Sequence, residues 1–247
     1  MNTKIKIDIN ADVGEGVENE EELMPYLSSC NIACGGHIGD LSSMEKSVRL
    51  AKENYVTIGA HPSFPDKENF GRLNVEISAA DLYASLKHQI RMLQTVLHSQ
   101  KLQLHHIKPH GALYNLAAKD EKTSRVIIEV IKSISIPLKL YAPFNSEIAK
   151  LAISQNIEVI FEAFADRNYN EDLSLVSRKE KNAVLTEKEA VLEHVLLMIN
   201  NEKVKTINGV EVPIKVSTFC VHGDTENALG ILKYITQKLP ENHIDIQ

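Results

Sequence analysis

The most informative pattern for the fold lies in residues 102–115, LQLHHIKPHGALYN. In an extended chain alternate side chains face opposite sides, so His106 and Lys108 share one face. Pro109 cannot donate a backbone hydrogen bond and therefore ends the strand, which leaves His110 just beyond its end. Such a polar face indicates either a solvated edge strand or a polar interior. The pattern of polar residues in the other predicted strands distinguishes these two alternatives.

Composition indicates a folded protein with a sizeable core. The 247-residue chain is 43% hydrophobic and 24% charged, and its formal net charge is −6. The negative charge and the lack of a long basic run argue against a dedicated nucleic-acid-binding protein. The amino terminus has no apolar stretch typical of a signal peptide, and the longest apolar runs are about five residues, against ~18 needed to span a bilayer. We therefore expect a soluble, cytoplasmic protein.

Three cysteines, Cys30, Cys34 and Cys220, are an odd and low number, which predicts reduced, buried thiols. The nearby His37 makes a zinc site with Cys30 and Cys34 worth testing. If this segment is extended, however, the Cα atoms of the two cysteines lie ~13 Å apart, which is too far for two thiolates on one zinc ion. We therefore predict that neither thiol binds zinc.

The order of predicted elements is typical of a parallel β/α protein, because short strands with polar ends alternate with helices. Strands are predicted at residues 4–10, 31–34, 56–60, 102–108, 137–141, 157–163 and 216–221. Helices are predicted near residues 41–54, 79–98 and 120–132, from Asn145 or Ser146, from a capping box at Thr186 and Glu189, and after Asp224.

A β-hairpin is predicted near residues 203–214, with Asn208-Gly209 as a two-residue type I′ turn. The helix from Thr186 already makes the crossover to the seventh strand, so this hairpin is an excursion from the β/α repeat. No linker or break in composition occurs, and we expect a single domain over residues 1–247.

The polar residues of the strands decide between a closed barrel and an open, doubly wound sheet. One strand face is apolar, and the other carries a polar set. This set is Asp8, Asn10, Asp12, Asn31, Thr57, His61, His106, Lys108, His110, Glu162, Asp166, Thr218 and His222. Helices cover both faces of an open sheet, whereas the interior of a barrel tolerates polar layers near its top. We therefore predict a seven-stranded parallel β/α barrel.

Polar groups at the carboxyl ends of these strands form a candidate active site, because β/α barrels place their sites there. They are Asp12, Glu15, His37, His61, Lys108, His110, Glu162, Asp166, Arg167 and His222. Carboxylates and imidazoles suit acid–base catalysis, and lysine or arginine suits a carboxylate or phosphate. Asp12, His37, His61 and His110 are candidate metal ligands.

Simpler roles compete for some of these residues. Lys108 can merely neutralise carboxylates, and Asp40, Asn145 and Asp224 are predicted to be helix N-caps because each precedes a helical pattern. No P-loop and no convincing G-x-G-x-x-G motif follows a strand.

Six segments resemble the LamB/YcsF family. They are IDINADVGEG (7–16), NIACGGHIGD (31–40), IGAHPSFPD (58–66) with FGR (70–72), HIKPHGALYN (106–115), FEAFADRNY (161–169) and FCVHGD (219–224). They span almost the whole chain in the order found in the family. The resemblance implies a barrel akin to carbohydrate deacetylases. It also implies the ATP-dependent opening of 5-oxo-L-proline to L-glutamate, with ATP as cosubstrate and two further 5-oxoprolinase subunits as partners.

The resemblance also implies roles for individual residues. The expected catalytic residues are Asp12, Lys108, His110, Glu162 and His222, and the expected substrate-binding residues are Asn10, His37, His61, His106, Asn115, Asp166 and Arg167. Whether a divalent metal binds stays open. The alternatives are a stand-alone metal-dependent deacetylase and a non-catalytic substrate-binding subunit.

The segment 164–185 is long for a βα loop, whose usual length is roughly 2–6 residues. Because it carries Arg167, Tyr169 and Arg178, we predict a mobile lid that closes over an anion. The alternative is a solvated insertion.

Overall fold

The computed structural model describes residues 5–247, and seven parallel strands in it close into a barrel. The seven barrel strands are β1 (Ile5–Val13), β2 (Ser29–Ala33), β3 (Thr57–His61), β4 (His106–Ile107), β5 (Lys139–Pro143), β6 (Val159–Phe164) and β9 (Thr218–Cys220). The strands outside this ring are β7 (Lys203–Lys205), β8 (Glu211–Pro213) and β10 (Ile244–Ile246). The helices are α1 (Glu20–Leu23), α2 (Leu41–Glu53), α3 (Ala79–Ser99), α4 (Gly111–Ala117), α5 (Glu121–Lys132), α6 (Glu147–Ser154), α7 (Lys188–Asn201) and α8 (Ala228–Glu241).

Closure of the barrel follows the order β1-β2-β3-β4-β5-β6-β9, and β9 pairs with β1 through Asp8 and Thr218. The predicted closed barrel is therefore confirmed. β10 was not predicted, and it pairs with the start of β1 at Ile5 and Ile244, where β9 does not reach. The predicted first strand began at Lys4, which lies outside the described residues.

Alternation along the strands separates an apolar outer face from a polar inner face, as predicted. On β1, Ile7 and Ile9 are buried and belong to the hydrophobic core. Next to them, Asn10 points into the barrel, where its Nδ2 donates to Glu162 Oε1 at 3.0 Å and to Thr218 Oγ1 at 2.7 Å. The polar layer is thus a hydrogen-bonded interior and not a solvated edge.

The helices cover the outside of the barrel with apolar stripes. In α3 the stripe is Leu82, Leu86, Ile90, Leu93 and Leu97, all buried. Ser78 caps this helix by accepting a hydrogen bond from Asp81 N. None of the helices within residues 5–247 is long and apolar enough to cross a membrane.

Two predictions around the central stretch were wrong in detail. The strand predicted over 102–108 is only His106–Ile107, and the helix α4 was not predicted. Gly111 begins α4 with a φ of +52°, so the chain turns at this glycine, and His110 is the preceding N-cap residue. The short helix has few turns and no clear apolar period of its own, so the sequence pattern did not reveal it.

The hairpin exists, but its turn differs from the predicted type I′. Gly209 has a φ of +82°, whereas the φ of Asn208 is not positive. The bond from Gly209 N to Thr206 O and the bond from Thr206 N to Val210 O enclose a three-residue loop. A type I turn followed by a left-handed glycine needs positive φ only at the glycine, whereas type I′ needs it at both positions.

Some caps also differ from the prediction. Asp40 caps α2 with a complete capping box, and Ser146 caps α6. The capping box at Thr186 is wrong, because α7 begins at Lys188 and its N-cap residue, Glu187, makes no side-chain cap. Two N-cap predictions are also wrong. Asn145 has a φ of +61° just before the true cap, and Asp224 lies several residues before α8.

Candidate active site

The carboxyl ends of the barrel strands bring most of the predicted site residues into one group, the mouth cluster. Its members are Asp12, Glu15, His37, His61, Lys108, His110, Glu162, Asp166, Cys220 and His222. Each side chain contacts at least one other member, so the cluster is a dense polar network.

Lys108 lies at the centre of the mouth cluster, and only 1% of it is exposed. Its Nζ lies 2.9 Å from Asp12 Oδ1 and 2.9 Å from Glu162 Oε1. It also donates to Cys220 Sγ at 3.2 Å and to Asn10 Oδ1 at 3.4 Å. Burial alone would lower the pKa of Lys108, but the charges around it, Asp12 first, raise that pKa well above its usual value. The ammonium therefore stays charged.

Asp12 joins Lys108 to the histidines, since its second oxygen, Oδ2, lies 3.3 Å from His61 Nε2. Burial opposes ionisation of this carboxyl, yet His61 and Lys108 hold the pKa of Asp12 well below its usual range. The same contact raises the pKa of His61 against the effect of burial. Asp12 is consequently a permanent anion and a poor proton acceptor.

Glu15 reaches over the mouth from a turn in which Gly14 and Gly16 have φ values of +75° and +81°. Its Oε1 lies 2.8 Å from His37 Nε2, 3.2 Å from His110 Nδ1 and 3.7 Å from His61 Nε2. Burial would raise the pKa of Glu15, but these imidazole contacts lower it. Glu15 is therefore ionised.

The three histidines pack directly on one another. His37 stacks on His110 with ring centroids 3.6 Å apart, and His61 meets His110 edge-on at 4.8 Å. His61 Nδ1 lies 2.8 Å from the carbonyl oxygen of Lys108, and His110 Nε2 lies 2.9 Å from that of Phe70. Burial lowers the pKa of His37 to about 4, so its ring is neutral.

His222 forms a second acid–base unit with Asp166. Its Nδ1 lies 2.9 Å from Asp166 Oδ1, while Asp166 also accepts from the His222 backbone N–H at 3.1 Å and from the Thr225 hydroxyl. Burial opposes ionisation of Asp166, but His222 lowers the pKa of this carboxyl. The His222 ring stacks on Phe164 and is partly exposed, so its other nitrogen can serve a substrate.

His106, predicted to bind substrate, lies one layer below the mouth and is fully buried. Its Nε2 donates to Asn31 Oδ1 at 2.8 Å, and its ring stacks on Tyr141 at 3.8 Å. Asn31 in turn donates to Asp12 Oδ1 at 2.9 Å. His106 therefore supports the mouth cluster from beneath. A Cβ atom on Gly59 would lie 2.1 Å from His106 Nε2, so this strand position needs glycine.

Two other predicted residues do not join the cluster. Asn115 is exposed on α4. Arg167 is buried, and its guanidinium donates to the backbone oxygens of Val176 at 2.6 Å and Ala183 at 3.3 Å. Arg167 thus holds the predicted lid segment together. Arg178 of that segment pairs with Asp224 at 2.9 Å, at the rim of the barrel.

Three neighbours were missing from the set of site residues expected from the sequence. Glu15 was noted after β1 but received no role, and its glycine turn is the signal that its side chain returns to the mouth. Cys220 was predicted as a buried thiol only, although strand parity places it beside Lys108. Tyr114 lies on the unpredicted α4, and burial together with the charge of Glu162 holds its pKa well above the usual value.

Comparisons with known proteins give a consistent result. The sequence model of the LamB/YcsF family matches residues 7–247. A protein from Haemophilus influenzae (strain PittEE), named as the A subunit of 5-oxoprolinase, is 43% identical over 241 residues, which cover 98% of both chains. The crystal structure of a lactam utilization protein from Thermus thermophilus is 33% identical, with a TM-score of 0.90 over 98% of this chain and 99% of that one.

A likeness of fold alone extends further. A family 4 carbohydrate esterase from Streptomyces lividans has a TM-score of 0.53 and 10% identity, and the match covers 99% of this chain and 92% of that one. At this identity the likeness shows a shared barrel fold alone.

Proposed function

Because the chain belongs to the LamB/YcsF family, we propose that it is the A subunit of an ATP-dependent 5-oxoprolinase. In this reaction 5-oxo-L-proline, ATP and two water molecules give L-glutamate, ADP and phosphate, and two partner subunits take part. The observation that carries the proposal is the 43% identity to the A subunit of a 5-oxoprolinase along nearly the full length of both chains.

The chemistry of a lactam explains why ATP and a polar barrel mouth belong together. The ring amide is unactivated, and phosphorylation of its carbonyl oxygen makes the carbon open to attack. One water molecule then adds its oxygen to that carbon, the C–N bond breaks, and the ring nitrogen takes a proton to become the amine of glutamate. The former carbonyl oxygen still carries the phosphoryl group, and the second water molecule hydrolyses this acyl phosphate to the carboxylate of glutamate and free phosphate. The protein must stabilise a developing oxyanion and move protons.

The mouth cluster supports both tasks. Lys108 is a permanently charged donor, and we assign it the substrate carboxylate or the developing oxyanion. His222, oriented by Asp166, is better suited to proton transfer than Asp12, whose pKa is far below neutrality. Glu162 contacts Lys108 and completes the charge balance of the site.

The deciding experiment measures glutamate and ADP released from 5-oxoproline and ATP by the purified chain with two candidate partner subunits. We expect product only when this chain, both partners and ATP are present. Release of glutamate by the chain alone without ATP would instead favour a stand-alone amide hydrolase, and no release by the complete mixture would refute the proposal. If the chain only binds substrate for its partners, Lys108→Met should weaken substrate binding but leave turnover at saturation unchanged.

A further inference from the structure

The facing nitrogens of His61 and His110 are 2.9 Å apart, and their protonation follows from their other contacts. A carbonyl oxygen only accepts hydrogen bonds, so the ring nitrogen facing it must carry hydrogen. His61 Nδ1 faces the Lys108 carbonyl, and His110 Nε2 faces the Phe70 carbonyl. In the neutral rings, His61 Nε2 and His110 Nδ1 therefore point lone pairs at each other.

Glu15 converges on the same point, and Asp12 approaches it from the side of His61. Glu15 Oε1 lies 3.2 Å from His110 Nδ1 and 3.7 Å from His61 Nε2. Asp12 Oδ2 lies 3.3 Å from His61 Nε2, while its other oxygen is engaged by Lys108. Three electron-pair donors, Glu15 Oε1, His61 Nε2 and His110 Nδ1, lie around one buried point and need a cation between them, which is either an extra proton or a metal ion.

These side chains fit a metal ion in the kind of ligand atom, in the distances between the ligand atoms and in the hydrogen bonds that orient the two rings. Imidazole with carboxylate suits zinc and the neighbouring divalent metals. Four ligands at roughly 2.0–2.1 Å in a tetrahedron lie ~3.3 Å apart, close to the separations found here. Histidines that bind metals usually donate their other N–H to a carbonyl or carboxylate, as His61 and His110 do.

We propose that Glu15, His61 and His110 bind one divalent first-row transition-metal ion, such as zinc. This set differs from the one suggested by the sequence, because His37 is no ligand. Its Nε2 instead donates to Glu15 at 2.8 Å and holds that carboxylate in place. The bound ion would supply a Lewis acid beside the substrate site. Metal binding here does not depend on the proposed 5-oxoprolinase activity.

A second donor set must be distinguished. A carboxylate oxygen of Asp12, Cys220 Sγ and a ring nitrogen of His222 lie within 4.8 Å of one another. Lys108 Nζ, however, is 2.9 Å from Asp12 Oδ1 and 3.2 Å from Cys220 Sγ, so an ammonium already supplies the cation there. We therefore assign the metal to the histidine side of Asp12.

The test is isothermal titration of metal-free, chelator-treated protein with ZnCl₂. We expect one ion per wild-type chain. Glu15→Gln, His61→Gln and His110→Gln should each weaken zinc binding by about 100-fold or more, since even supporting residues are worth 10–100-fold. His222→Gln and the exposed His98→Gln should bind like wild type. Circular dichroism checks that each variant is folded.

Cobalt substitution of the wild type covers the case in which a variant fails to fold. An N/O ligand set predicts visible d–d bands of four-coordinate Co²⁺ without a near-ultraviolet thiolate-to-cobalt band. A thiolate band, or loss of binding in His222→Gln alone, would place the ion on Cys220 and overturn the assignment. Absence of stoichiometric zinc binding to wild type would show that a proton is the missing cation, which also overturns it.

Discussion

The ammonium of Lys108 and the carboxylate of Glu162 lie 2.9 Å apart inside the barrel, and the two side chains are almost completely buried. Lys108 directly follows β4 and Glu162 lies in β6, on opposite sides of β5, so their contact forms across the inner face of β5. This ion pair affects both the stability of the fold and the candidate active site, because the same ammonium also contacts Asp12.

Lys108→Met tests both roles of this pair. We expect the free energy of unfolding in urea to fall by about 3–5 kcal/mol, since two buried carboxylates lose their cation. Lys108→Met/Glu162→Gln should recover part of this loss, because the double variant leaves fewer unpaired charges. In the complete 5-oxoprolinase assay, folded Lys108→Met should turn over ~10²-fold more slowly, as for loss of an oxyanion donor.

Lys139→Met is the matched control for Lys108→Met. Lys139 pairs with Glu158 at 3.0 Å in a partly exposed position beside the barrel, and loss of that pair should change the free energy of unfolding by less than about 1 kcal/mol. Near-normal turnover by folded Lys108→Met would remove Lys108 from the mechanism and leave it a purely structural residue.

The alternation of His106 and Lys108 was sufficient to predict a polar barrel interior, because strand periodicity is a local property of the sequence. The bounds of β4 and the existence of α4 were missed, because they depend on contacts with distant segments, such as the bond from Ala112 N to Gly71 O. Similarly, Asp224 looked like a helix cap, but its partners Arg72 and Arg178 come from loops far away in the sequence. Long-range pairing of this kind leaves no local pattern.

Asp8, at the bottom of the polar layer, should make the protein less stable as the pH rises. Burial raises the pKa of Asp8 from 3.8 to about 6, against hydrogen bonds from Thr218 and Ser29. Between pH ~4 and ~6 the folded state therefore binds more protons at Asp8 than the unfolded state does, and stability falls with pH through this window. Above it the loss is complete, at about 2–3 kcal/mol.

Asp8→Asn should remove this dependence, since an amide oxygen can still accept from Thr218 and Ser29. In urea unfolding from pH 4 to pH 8, the free energy of unfolding of the variant should rise relative to that of wild type as the pH rises. The difference should be constant above pH ~6. The exposed Glu53→Gln serves as control and should run parallel to wild type. A difference between Asp8→Asn and wild type that does not vary with pH would contradict the prediction.

Asp166→Asn should disable His222 without displacing it. An amide NH₂ group facing His222 Nδ1 favours the tautomer with hydrogen on the other nitrogen, which is the wrong one for accepting a proton. We expect kcat in the complete assay to fall about 10²–10³-fold while KM for 5-oxoproline changes little. His222→Gln should cost a similar factor, and the double variant should cost no more than either single variant. Additive losses would show that the two residues act separately.

The segment 164–185 remains a predicted lid, and its internal contacts make the prediction sharper. Arg167 donates to the backbone oxygens of Val176 and Ala183, so one side chain ties both halves of the segment together. We expect 5-oxoproline, added to the complete enzyme with ATP, to slow hydrogen exchange of residues 174–185. Arg167→Met should speed exchange there without substrate and abolish most of the protection. The helix α5 is an internal control, because it lies outside the segment and should exchange alike in all samples. If the substrate leaves exchange of residues 174–185 unchanged in wild type, the segment is a fixed insertion and not a lid.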